Sequence, residues 1–94
     1  MPKHFQADPA EFQRCVRHLC TKIETIAARE GIDDVDCSNL EGMLAAIPLS
    51  ARVRVLSMLN DEGVKTEYDD PAMAFAARYL ANLAHEVWRN EPEA

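Results

Sequence analysis

Among side chains able to do chemistry, the cysteines and histidines come first, three of each in 94 residues. Cys15 and His18 stand three apart, which on a helix puts them one turn apart on one side, close enough to share a metal. Cys20 lies about 140° from Cys15 around the same helix. At most two donors converge there, whereas a structural zinc takes four. The expected role of Cys15 and Cys20 is that of small buried hydrophobes, with no metal and no cofactor. Cys37 is the best nucleophile candidate, because a helix start just after it favours a thiolate by ~0.3 to 1 kcal/mol. Asp33, Asp34 and Asp36 stand close by in sequence and oppose a further negative charge. His4 and His85 read as surface residues. The chain has no Gly-x-Ser-x-Gly, no phosphate-cradling glycine loop and no dinucleotide fingerprint. The expectation is a protein that is not an enzyme.

The acidic stretch Ile32 to Cys37 invites a calcium reading. Counting an EF-hand loop from Asp34 places Asp36 and Ser38 well, but puts Asn39 where glycine is required and Ala45 where the bidentate Glu belongs. The motif fails. The first helix carries Arg14, Arg17, His18, Lys22 and Arg29 on its wet face, suited to an acidic partner or simply to solvation. Leu40 to Asn60 has the outline of a helix-turn-helix, with Pro48-Leu49-Ser50 as the turn and Arg52, Arg54, Ser57 and Asn60 offered to a groove. A net charge of -6 and only two arginines in that element weigh against it. A DNA-associated regulator is therefore the alternative function, and nucleic acid is not the expected partner.

These residues have to be positioned by helices. Few glycines and no alternating Val/Ile/Thr-rich run argue against a sheet. Asp8-Pro9-Ala10-Glu11 combines a cap, a proline at the first helical position and a Glu three residues on, and opens a helix near 9 to 30 that Gly31 stops. Ser38-Asn39-Leu40-Glu41 reads as a second capping box, for a short helix near 39 to 47 that Pro48 ends. A third helix runs from 49 to 60 with Leu49, Val53, Leu56 and Leu59 on one face and Ala51, Val55 and Met58 alongside, closed by Gly63. Asp70-Pro71 starts the fourth, near 71 to 90. Its apolar arc, centred on Met73, Ala76, Leu80, Leu83 and Val87 with an alanine flank, spans roughly 220° where about 100° suffices for a helix lying on a globule. The predicted fold is all-α, one domain over 1–94 with loose termini at about 1–7 and 90–94, a small bundle of two long and two short helices.

So wide an arc exceeds what three short neighbours readily cover, which predicts a homodimer with Phe75, Tyr79 and Trp88 near the contact. Loops concentrate recognition residues, and here they hold Asp33, Asp34 and Asp36 in one connector and Glu67, Asp69 and Asp70 in another. If both connectors fall at one end of the bundle, they make a negative patch for a basic surface. No secretory leader is visible, and the longest apolar run, Met43 to Ile47, is too short for a bilayer. The expectation is a cytoplasmic, non-enzymatic adaptor, regulatory subunit or inhibitor that binds a larger protein. Small acidic helical inhibitors encoded by phages and other mobile elements share this size and charge.

Overall fold

In the computed structural model, which describes residues 8–32 and 35–91, Asp8 opens α1 (Pro9–Arg29) by accepting the Glu11 backbone N–H at 3.2 Å. The helix ends as the sequence predicts. Gly31 takes φ +86°, its N–H donates to the Ala28 carbonyl and that of Ile32 to Ala27, so the last carbonyls of α1 are satisfied by a left-handed glycine. α2 (Leu40–Ala46) is capped by Asn39, whose side chain accepts the Gly42 N–H at 3.1 Å. Ser38, expected as the cap, is instead drawn to Asp36 and donates both its hydroxyl (2.6 Å) and its backbone N–H (3.0 Å) to that carboxylate. Short polar side chains compete for the same local donors, and here the Asp–Ser turn takes Ser38 first.

α3 (Leu49–Lys65) departs from expectation in length and in facing. It runs past Asn60 to Lys65. Gly63 does not close it but lies buried within it, where the nearest atoms to an added Cβ are Arg78 Cγ at 3.7 Å and Ala77 Cβ at 3.9 Å. The buried face is Ala51, Val55, Leu59, Glu62 and Gly63, while Leu49 and Val53 are 78% and 75% exposed. The small residues at the two ends of that face let α3 lie close along the alanines of the last helix, and this approach overrides the larger side chains. α4 (Pro71–Arg89) is started by Asp70, which accepts the Met73 N–H at 3.3 Å.

The described residues form an all-helical fold of two long and two shorter helices. Cross-links fix the directions. Arg54 pairs with Glu30 at 2.9 Å and Lys22 with Glu62 at 3.3 Å, so α3 is antiparallel to α1. Arg52 pairs with Glu91 at 2.7 Å while Gly63 lies against Ala77, so α3 is also antiparallel to α4. α4 is central and touches all three other helices. Its alanine flank is buried as expected, and Leu19, Ile23, Leu44, Ile47, Leu59 and Leu80 fill the core. Trp88, expected near a contact between copies, is half-buried and serves the chain itself. Its indole N–H donates to the Leu44 carbonyl at 2.8 Å, and the Arg52 guanidinium lies 4.9 Å from its ring centroid. No helix among the described residues is long and apolar enough to cross a membrane.

Candidate functional site

α2 docks on α4 and makes no close backbone approach to α1. The space left between them is a cleft of about 600 Å³, lined by Phe12, Val16 and Arg17 of α1, Cys37 and Ser38 of the connector, Leu40 and Tyr79. At its rim three aromatic rings form a ledge. Phe12 meets Phe75 at 5.7 Å and Tyr79 at 5.4 Å between centroids, both edge to face. Phe75 and Tyr79 are 44% and 43% exposed, whereas Phe12 is half-buried and packed on the core. Phe75 and Tyr79 were legible as residues of the last helix expected near a contact. Phe12, which ties them together, gave no such signal.

Cys37 borders the cleft and has two sulfur neighbours at hand. Met43 reaches from α2 to α1, and its Sδ lies 3.8 Å from Cys20 Sγ and 3.9 Å from Cys37 Sγ. Cys37 Sγ is also 3.9 Å from a Glu24 carboxylate oxygen. Burial pushes the Cys20 thiol up to about 12, and the Cys37 thiol beside it pushes the same way. Burial likewise raises the Cys15 thiol. Cys15 and Cys20 are both buried, as their places on the helix suggested.

The acidic connectors are only partly on view, since Asp33 and Asp34 lie outside the described residues. Asp36 is exposed, and its hydrogen bonds from Ser38 hold its carboxyl below the usual range. Glu67 accepts from Arg78 at 3.3 Å, and Asp69 is exposed. One connector leaves the C-terminal end of α1 and the other the C-terminal end of α3, and because these helices are antiparallel the connectors begin at opposite ends rather than at one end of the bundle. The arginines that a helix-turn-helix would offer are engaged elsewhere. Arg52 bonds the Ile47 carbonyl and Glu91 beneath Trp88, and Arg54 bonds Glu30. On the wet face of α1, Arg14 pairs with Glu11 and Lys22 with Glu62.

Sequence patterning missed Glu62, a buried acid held between Lys22 at 3.3 Å and Lys65 at 3.2 Å. The Glu62–Lys65 spacing was a visible signal; the approach of Lys22 was not. In comparisons with known proteins, no family model, no curated protein and no solved structure matches this chain.

Proposed function

We propose that the protein is a non-enzymatic binding module, an adaptor, regulatory subunit or inhibitor that docks on a larger protein. The observation that carries this reading is the ledge of Phe12, Phe75 and Tyr79. Aromatic rings bring large apolar area with few rotatable bonds, and protein interfaces are enriched in them for that reason. Here the rings are held edge to face, so the two exposed ones are presented with little entropy left to lose. The cleft beside them gives a partner side chain somewhere to enter. With a net charge of -6, the complementary partner is a basic surface carrying an apolar anchor.

The test is capture from cells that make the protein natively, followed by binding measurements with the isolated partner. Replacing Phe75 and Tyr79 by Ser is expected to weaken binding by about tenfold or more, the scale of truncating an interface anchor, with helicity unchanged. Charge reversal at Asp36 and Glu67 is expected to slow association, and the effect should fade as salt rises. Full binding by the double-Ser variant would remove the ledge from the account.

A further inference from the structure

Three neighbouring sulfur atoms, one of them bordering the cleft, come from three different parts of the fold: Cys20 from α1, Cys37 from the connector and Met43 from α2. We propose that Cys20, Cys37 and Met43 form a trigonal site for one soft monovalent metal ion, Cu(I) or its analogue Ag(I).

Both separations to Met43 fit. A metal about 2.3 Å from each of three sulfurs in one plane needs them about 4 Å apart, and Met43 Sδ stands 3.8 and 3.9 Å from the two thiols, which are themselves neighbours. The donor set selects the ion, because a thioether is a soft, uncharged ligand that suits Cu(I), whereas zinc takes thiolate, imidazole and carboxylate. Counting only His, Cys, Asp and Glu, no group of three among the described residues could hold a metal; the methionine supplies the third donor. Cys20 and Met43 are 1% and 3% exposed, which keeps competing water out, while the half-buried Cys37 lines the cleft and gives the ion a way in. The turn that carries Cys37 is held by the Ser38–Asp36 bonds.

Binding leaves the oxidation state unchanged. The two thiols lose two protons, two metal–thiolate bonds and one metal–thioether bond form, and the bound unit carries one net negative charge. Both protons leave to solvent through the cleft, which Arg17 and Cys37 line. An occupied site would tie the connector to both α1 and α2, which otherwise share no close backbone contact.

The experiment is an anaerobic titration of the reduced, metal-free full chain with Cu(I) against a coloured Cu(I) chelator, with Zn(II) titrated in parallel and circular dichroism recorded on each variant. One ion per chain, release of two protons and an ultraviolet sulfur-to-copper charge-transfer band are expected. Cys37→Ser and Met43→Leu should each lower affinity by at least about tenfold, the scale of losing a partner at a metal site, with helicity kept. Cys15→Ala should bind as the parent does. Undiminished Cu(I) affinity in Cys37→Ser or Met43→Leu, equal loss in Cys15→Ala, or Zn(II) bound as tightly as Cu(I) would each overturn the site. Cys20→Ala adds to the case only if it folds; the other two substitutions, one half-buried and one nearly volume-conserving, decide it alone.

Discussion

Glu62 shows how a single residue sets a condition on the whole chain. Burial alone would push its carboxyl up, yet hydrogen bonds and charge from Lys65 and Lys22 outweigh that and hold it below the usual value. The folded state therefore binds fewer protons than the unfolded one. The stability this contributes is fully present above the ordinary carboxyl value of 4.5, and is lost as pH falls through the lower folded value. Removing the charge should cost only about 1 kcal/mol at neutral pH, because the Lys22 and Lys65 side chains stay 38% and 67% exposed and reach water when the acid is gone. Urea unfolding of the parent and of Glu62→Gln, at neutral pH and in acid, checks this. The gap between them is expected to close on acidification, and a gap that persists would mean that the side chain acts by packing rather than by charge. Such an acid was hard to read from sequence, because its second partner lies on another helix.

At the scale of elements, local chemistry was legible and facing was not. Both Asp-Pro starts appear where the sequence puts them, since a cap needs only its own next three residues. Ser38 lost the cap of α2 to Asn39 because Asp36, two residues back, competes for it. The facing of α3 could not be read from side-chain size. Leu49 and Val53 are the larger residues, but Ala51 and Gly63 allow the close approach to α4, and that approach decided which side was buried. Two glycines that look alike as punctuation thus have opposite roles. Gly63→Ala places its methyl in ordinary contact with Arg78 and Ala77 and should stabilise by about 0.5 to 1 kcal/mol, the helix-interior difference between the two residues. Gly31→Ala meets open space but inherits φ +86°, so it should cost about 1 to 2 kcal/mol. Thermal or urea unfolding of the pair checks the signs. Destabilisation by Gly63→Ala would mean that the methyl does not settle into the 3.7 and 3.9 Å contacts with Arg78 and Ala77.

For the molecule as a whole, the question is what remains uncovered once the helices have assembled. The wide arc on α4 is accommodated by a central position, where its neighbours bury Ala72, Met73, Ala76, Ala77, Leu80, Ala81 and Ala84. Trp88 is occupied with Leu44 and Arg52. The cleft and its sulfur cluster were not legible, because they depend on where the connector returns. Cys20 and Met43 are 23 residues apart, a distance no periodicity spans. What α4 leaves at the surface is the edge held by Phe75 and Tyr79, each under half exposed, a smaller patch than the bare helix suggests. Light scattering at tens of micromolar decides between a second copy and a different partner on that edge, the single-chain mass being 10.5 kDa. A particle of twice that mass, returned to the single-chain value by Tyr79→Ser, would assign the ledge to a second copy of the chain; a dimer indifferent to that substitution would place the contact elsewhere, with the exposed Leu49 and Val53 of α3 the next surface to change.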